Sequence, residues 1–270
     1  MKYMVMKIAI AGASGRMGKM LIESIASSKD MYLSGALEKS NAQSIGSDPL
    51  LFLGKFSEIK ITSNLNEALS SSQFLIDFTK PEASIKNLQY CSLKGVKVVL
   101  GTTGFNNDQL DQIKLFSQKI PIVMSPNMSI GVNATMKLIE IATKLLPKDY
   151  DIEIIEAHHK NKIDAPSGTA IKMGEIISKV LSLDLKKHSI FDRSNKRRER
   201  EKNIIGFSSI RGGDIIGDHT VLFAGSGERI EITHKSSSRK NYSNGSLQAV
   251  RFLKDKKIGL YNMQNVLGYE

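Results

Sequence analysis

A short apolar run, Lys7-Ile8-Ala9-Ile10-Ala11, ends in Gly12-Ala13-Ser14-Gly15-Arg16-Met17-Gly18, after which Met17, Leu21, Ile22 and Ile25 recur at helical spacing. A buried strand that breaks at glycine and opens directly into an amphipathic helix is half of a βαβ unit. Tyr32-Leu33-Ser34-Gly35-Ala36-Leu37 reads as its second strand, ending at Glu38-Lys39. The crossover of such a unit is right-handed. Glycine is needed where φ is positive and where backbone must approach a pyrophosphate. The spacing here, G-x-x-G-x-x-G, is offset from the dinucleotide fingerprint, so alone it also fits a structural turn. Its place between strand and helix, with Glu38 at the end of the second strand, favours a dinucleotide. An acid there hydrogen-bonds the adenosine ribose of NAD, while Lys39 and Arg16 suit the extra phosphate of NADP. The pair Glu38-Lys39 therefore predicts use of NADH or NADPH.

The alternation continues. Ile61-Thr62 reads as the start of a linker into a helical piece over 66–70, and Phe74–Phe78 as the next core strand. A helix follows over 81–94, with Pro81 suited to its first turn. Val96–Leu100 and Pro121–Ser125 read as further strands, separated by a helix over 107–118. Strands and helices at this spacing imply a doubly wound, parallel α/β sheet of Rossmann type. Two loops fall at the C-terminal ends of its strands, where ligands of such sheets bind: Gly101-Thr102-Thr103-Gly104 and Ser125-Pro126-Asn127-Met128-Ser129. Both are expected at the nicotinamide end of a cofactor.

Beyond residue 127 the texture changes. A helix is expected over 131–146, with Ala134, Leu138, Ile141 and Leu145 on one face, and Asp151–Glu156 alternates as a half-exposed strand does. Stretches 204–210, 217–224 and 228–236, joined by glycine turns, read as an antiparallel meander. The last thirty residues read as helical, closing on Gly259-Leu260-Tyr261-Asn262-Met263.

Between these lies Glu156-Ala157-His158-His159-Lys160-Asn161-Lys162-Ile163-Asp164-Ala165-Pro166-Ser167-Gly168-Thr169-Ala170. A strand running into a Gly-Thr helix start offers backbone N–H donors to an anion. The flanking imidazoles and ammonium groups can move protons. The two clusters together point to an oxidoreductase with a small anionic substrate. A bland reading competes for each single residue: Lys160 is expected in water, Asp164 as a turn cap, and His188, His219 and His234 without a role.

The 270 residues carry Lys+Arg 38 against Asp+Glu 27, a formal charge of +11. Much of the excess falls in 186–202, where Glu199 and Glu201 interrupt the run and Phe191 is its aromatic residue. That pattern reads first as a solvated surface loop, then as a field for anionic substrate, and least as a nucleic-acid site. No apolar run approaches the ~20 residues of a membrane span, and the N-terminal stretch is a poor secretory leader. Cys91 is the one cysteine, so no internal disulfide forms, no zinc spacing exists, and a reducing cytoplasm is the expected setting. No metal is expected. A thioester-forming semialdehyde dehydrogenase would need a cysteine nucleophile, and Cys91 falls inside an expected helix away from the strand ends.

The chain resembles the 4-hydroxy-tetrahydrodipicolinate reductase (dihydrodipicolinate reductase) family over essentially its whole length. The resemblance is carried by 12–18, 101–105, 125–133, 206–220, 259–263 and, most specifically, 156–170. It implies a dinucleotide-binding domain of 1–128 with 240–270, and a substrate-binding and oligomerisation domain of 129–239, an α+β unit with an open mixed sheet. It implies a homotetramer that reduces a cyclic dicarboxylate imine in diaminopimelate and lysine biosynthesis, without nucleic acid or membrane. By resemblance His158 is the general acid/base and Lys162 the proton donor, while His159, Gly168 and Thr169 contact substrate. The cofactor would lie on Gly12, Ala13, Ser14, Gly15, Arg16, Met17, Glu38, Lys39, Gly101, Thr102, Thr103, Ser125, Pro126, Asn127 and Met128. Four departures stand out: Ser14 where glycine is frequent, Lys39 where arginine is usual, Pro126-Asn127-Met128 for smaller residues and phenylalanine, and Ser246 where alanine commonly follows the glycine. Lysine at 39 loses the bidentate grip of arginine on a phosphate.

Overall fold

The computed structural model describes residues 5–194 and 198–269. It divides into two compact units, one running to Ile130 and resuming at Lys240, the other Gly131–Arg239.

The first unit is built on β1 (Met6–Ala11), α1 (Arg16–Ala26), β2 (Met31–Leu37), β3 (Ile61–Thr62), α2 (Leu65–Leu69), β4 (Phe74–Asp77), α3 (Pro81–Lys94), β5 (Lys97–Leu100), α4 (Asn107–Ser117) and β6 (Pro121–Met124). Among the described residues its sheet has seven strands in the order β12-β6-β5-β4-β1-β2-β3, where β12 is Gly259–Tyr261. Every pairing in it is parallel. The doubly wound expectation therefore holds, and the order reverses beside β1, where the crevice of such a sheet opens. Strand β1 is apolar and buried without a break from Ile8 to Ala11 because helices cover both faces there. Ile8 and Ile10 pack with Leu21, Ile22, Val250 and Leu253 on one side, and Ala9 packs with Leu75, Leu88 and Val98 on the other.

Turn chemistry sets the joints. Pro81 opens α3, and Gly95 closes it at φ 72 with its N–H on the carbonyl of Cys91. Asn106 and Gln109 form a capping box at the start of α4. Two short strands escape sequence patterning. Ile61-Thr62 is a strand rather than a linker, and Gly259–Tyr261 adds to the sheet edge between α7 (Lys240–Leu253) and α8 (Met263–Leu267).

The second unit contains α5 (Ile130–Leu145, whose first residue belongs to the other unit), β7 (Asp151–His158), α6 (Gly168–Leu181), β8 (Ser189–Ile190), β9 (Ile205–Arg211), β10 (Gly217–Ala224) and β11 (Arg229–Ser236). Its sheet runs β11-β10-β7-β9-β8. The expected meander is corrected here: β10 pairs antiparallel with β11 and β7, while β9 pairs parallel with β7 and β8. The long central strand β7 separates β9 from β10, its backbone laddered to one on each edge. That face buries Ile152 and Ile154 with Ile139, Met173, Ile177, Val221 and Phe223.

The face assigned to α5 is also corrected. Leu138, Ile141 and Leu145 are exposed, and Val132, Thr135, Met136, Ile139 and Thr143 are buried. Thr135 and Thr143 tolerate burial because each hydroxyl donates to the carbonyl four residues back, 2.8 and 2.7 Å away. A pattern that counts only apolar residues misses that stripe.

The basic run is more than a solvated loop. The Arg200 guanidinium donates to Asp151 at 2.8 Å and to the carbonyls of Ile152 and Ile204 at 3.0 and 2.7 Å, clamping the segment onto β7. Lys196 and Arg197 lie outside the described residues.

Candidate active site

Strand alternation places Glu156 and His158 on the same buried face at the end of β7. Glu156 is 1% exposed, yet it is fully engaged. Arg211, at the end of β9, grips it bidentately, NH1 on Oε2 at 2.8 Å and NH2 on Oε1 at 2.7 Å. Backbone N–H of Ser167 donates to Oε1 at 3.2 Å, and His158 Nδ1 lies 2.5 Å from Oε2. Burial raises the Glu156 carboxyl, but the hydrogen bonds led by Arg211 outweigh it and hold the group at about 2. The carboxylate is therefore ionised at neutral pH.

His158 is pushed below the ordinary imidazole value, first by burial and also by the charges of Lys162 and Arg211, against the pull of Glu156. The neutral ring is favoured in the resting site. His219, opposite on β10, meets His158 edge-on with ring centroids 5.1 Å apart. Its Nε2 lies 2.9 Å from Ser167 Oγ, and burial brings it down to about 4.

The loop between β7 and α6 is fastened at both ends. Gly212 N–H donates to His158 O at 3.0 Å, and Arg211 NH2 donates to Asp164 O at 2.6 Å. Asp164 is not the turn cap expected; its carboxylate takes both oxygens to Lys162 Nζ, at 2.6 and 2.8 Å. Helix α6 starts at Gly168 with Ser167 as N-cap. Ser167 N–H is taken by Glu156, Ala170 N–H by Ser167 Oγ, and Ile171 N–H by Ser167 O. Among the described residues no acceptor pairs with the amides of Gly168 and Thr169, at the positive end of a helix dipole, an arrangement that can accept an anion. His159 sits half-buried beside this cluster, and Lys160 is exposed.

In the first unit a cleft of about 760 Å³ opens along the ends of β1, β2 and β4. It is lined by Gly12, Ser14, Gly15, Glu38 and Lys39 from the sequence-selected set, joined by Thr79, Lys80, Lys86 and Asn87. Gly12 has φ 73, and a Cβ at Gly18 would stand 2.1 Å from Gly12 O, so both glycines are required by geometry. Glu38 is held in place by Ser14, whose N–H and Oγ approach Oε2 at 3.2 and 2.5 Å. The curvature of the turn and the acid at its rim fit a dinucleotide.

The remaining residues of that set do not line this cleft. Arg16 is exposed, Met17 is partly buried against the core, and the side chains of Ala13 and Met128 lie in the core, leaving only backbone for a ligand. Thr102 Oγ1 is buried, 2.8 Å from Ser84 Oγ and 3.4 Å from Asp77 Oδ1. Gly101 presses on the ring of Phe78. Thr103 and Pro126 are exposed, and Ser125 Oγ donates to the carbonyl of Asn127 at 2.8 Å. Sequence reasoning finds no role for Glu156, Ser167, Arg211 or His219. The period-two alternation of β7 was a signal for Glu156; Arg211 and His219 lie in the 206–220 segment that carries the family resemblance, which gave neither a role.

Comparison with known proteins now decides the family. Residues 6–128 match the family model described as dihydrodipicolinate reductase, N-terminus, and residues 131–267 match its C-terminus. The chain belongs to the dihydrodipicolinate reductase family. Over 263 residues it is 56% identical to the 4-hydroxy-tetrahydrodipicolinate reductase of Herminiimonas arsenicoxydans, covering 97% of this chain and 98% of that one. The reductase of Polynucleobacter necessarius is 55% identical over the same length, covering 97% and 99%. A solved structure of the dipicolinate-bound dihydrodipicolinate reductase from Paenisporosarcina sp. TG-14 superposes with TM-score 0.78 at 26% identity, covering 97% of this chain and 99% of that one.

The buried imidazoles give the family site a pH signature. His219 is held near 4, below the 6.5 it has when unfolded, so the unfolded chain binds its proton first. Its contribution to stability is complete above about pH 6.5 and is lost as pH falls toward about 4. Below that, the depressed carboxyl of Glu156 adds a second loss between about 4.5 and 2. Thermal melts of the whole chain across pH 4–7 are expected to show a falling Tm that is flattened by His219→Gln. An unchanged slope in that variant contradicts the assignment.

Proposed function

We propose that the chain reduces 4-hydroxy-tetrahydrodipicolinate to tetrahydrodipicolinate and water in diaminopimelate and lysine biosynthesis, using NADH or NADPH. The observation that carries this is the seat on the second unit, where two unpaired helix-start amides share a loop with an imidazole and an ammonium group. A ring with two carboxylates needs such donors, and both halves of the chain match one reductase family. The dipicolinate in the related structure is a planar ring diacid of that kind.

A nicotinamide, when bound, supplies the hydride. The protein's own residues do the rest. The amides of Gly168 and Thr169, with His159, orient a ring carboxylate. Lys162 cancels carboxylate charge and donates the proton that an electron-rich enamine requires after reduction. In the resting site its ammonium is paired with Asp164, so substrate carboxylate must compete with that acid. His158, neutral at rest, takes up at Nε2 the ring C–H proton lost in dehydration and returns it to the hydroxyl, which leaves as water when its C–O bond breaks. The hydride and the Lys162 proton then add to the unsaturated ring. Glu38 and Lys39 both border the cleft, one suited to a ribose diol and the other to a phosphate. This pairing supports acceptance of both cofactors. The backbone of Gly101–Thr103 and of Ser125–Met128 is assigned to the nicotinamide end.

Cys91 is fully buried in α3 and burial pushes its thiol up, which disfavours a thioester nucleophile and suits a cytoplasmic setting. Among the described residues no helix is long and apolar enough to cross a membrane. Exposed Leu138, Ile141 and Leu145 on α5 and Ile210 on β9 support self-association of the second unit into a homotetramer. Light scattering is expected to give the mass of four chains, and a single-chain mass at micromolar concentration contradicts the assembly.

Purified protein is expected to oxidise NADH and NADPH when given freshly prepared 4-hydroxy-tetrahydrodipicolinate. His158→Gln and Lys162→Met should each lower kcat by roughly 10²–10⁴-fold while cofactor KM stays within a few-fold. No turnover with either cofactor sinks the proposal.

A further inference from the structure

We infer that Glu156, clamped by Arg211, is the positioning residue that fixes the tautomer and ring plane of His158, leaving Nε2 as the atom through which its proton passes. This rests on the reading of His158 as a proton-handling group.

The geometry leaves little choice. Both oxygens of Glu156 receive guanidinium donors, and Oε1 also receives Ser167 N–H. A carboxylate so surrounded by donors stays ionised and can only accept. The contact of 2.5 Å with His158 Nδ1 then requires the hydrogen on Nδ1. In the neutral imidazole the lone pair must lie on Nε2. Proton uptake there makes an imidazolium whose positive charge faces Glu156, and release restores the same neutral tautomer. One proton is taken and one is returned, with Glu156 unchanged throughout.

Two further features serve the same end. A Cβ on Gly217 would come within 3.0 Å of His158 Nε2 and 3.4 Å of its Cδ2, so the absence of a side chain at the start of β10 keeps that edge of the ring clear. Arg211 also donates to Asp164 O at 2.6 Å, so the guanidinium that orders Glu156 also ties down the segment carrying Lys162. A single cation thus sets the imidazole and the ammonium against one frame.

The charged and titratable groups around His158 come from each neighbouring element. Glu156 lies on its own strand, Arg211 on β9, His219 on β10, and Lys162 with Asp164 on the loop. His234 on β11 pairs with His219 across the ladder. Glu156 and Asp164 are the acids in this group, and Asp164 is occupied by Lys162. Removing Glu156 therefore leaves His158 among positive neighbours.

The test is nitrogen-15 NMR of histidine-labelled full-length protein, read with kcat across pH. Wild-type His158 is expected as the Nδ1–H tautomer at neutral pH. In Glu156→Gln that single tautomer is lost, kcat falls about 10²-fold with cofactor KM unchanged, and the acid limb of the kcat profile moves to lower pH. Arg211→Lys keeps the charge without the fork; it should give a tautomer mixture and a fall of about 10-fold, and it carries the test should Glu156→Gln not fold. Restoration of the Nδ1–H signal in Glu156→Asp marks positioning rather than bulk packing. An unchanged tautomer in both Glu156→Gln and Arg211→Lys overturns the inference. Wild-type kcat in His158→Gln, together with a His158 tautomer that Glu156 sets in the unsubstituted chain, overturns the catalytic reading of His158 and leaves the positioning intact.

Discussion

A carboxylate with 1% exposure, gripped on both oxygens by one guanidinium, is the constraint around which the second unit is arranged. Taking Glu156 and Arg211 from water costs several kcal/mol per ion, recovered only when every lone pair is met. Here the lone pairs are met by the fork of Arg211, by Ser167 N–H and by His158 Nδ1. Loss of either charged partner would strand the other, at about 3–5 kcal/mol. Because the donors come from β9, from β7 itself and from the start of α6, that one ion pair fixes three elements at the place where chemistry is assigned.

A parallel arrangement orders the first unit. Asp77, fully buried at the end of β4, accepts from Thr79 N–H and Oγ1 at 2.9 and 2.6 Å and from Asn87 Nδ2 at 2.8 Å. Thr102, in the loop after β5, reaches Oδ1, the oxygen that Thr79 binds, at 3.4 Å, while Asn87 holds Oδ2. The loops at the switch point are thereby held by a buried acid rather than by apolar packing. Glu38 is treated differently: Ser14 restrains one oxygen, and its carboxylate remains at the rim of the cleft. An acid held inside is structural, while one held at a rim is available to a ligand.

How much of this was legible in the sequence depends on how local each signal is. Strands β1, β4, β5 and β6 announce themselves as short apolar runs between turn residues, and α3 by Pro81 and Gly95. Strands β3, β8 and β12, with two or three residues each, have no period to detect. The order of the second sheet was hidden because β7 pairs with strands more than forty positions along the chain, and a hairpin reading prefers near neighbours. The buried stripe of α5 was hidden because threonines that bond back to their own helix count as polar in any pattern. At the site, the block 156–170 displayed its imidazoles, lysine and helix start, and the family resemblance rested there. Arg211 lies in the resemblance-carrying segment 206–220, but no sequence pattern links it to Glu156; only the fold brings the two together. Asp164, adjacent to a proline turn, looked like a cap until its carboxylate was found on Lys162.

A ring diacid seated on the amides that open α6, beside His158 and Lys162, is what the proposed chemistry requires. Amide NMR of the full chain, titrated with 2,6-pyridinedicarboxylate in the presence of NADH, reads that seat directly. Saturable shifts centred on Gly168 and Thr169, and extending to the backbone amides of His158 and His159, are the predicted result. Saturable binding that leaves those two amides unmoved would contradict it.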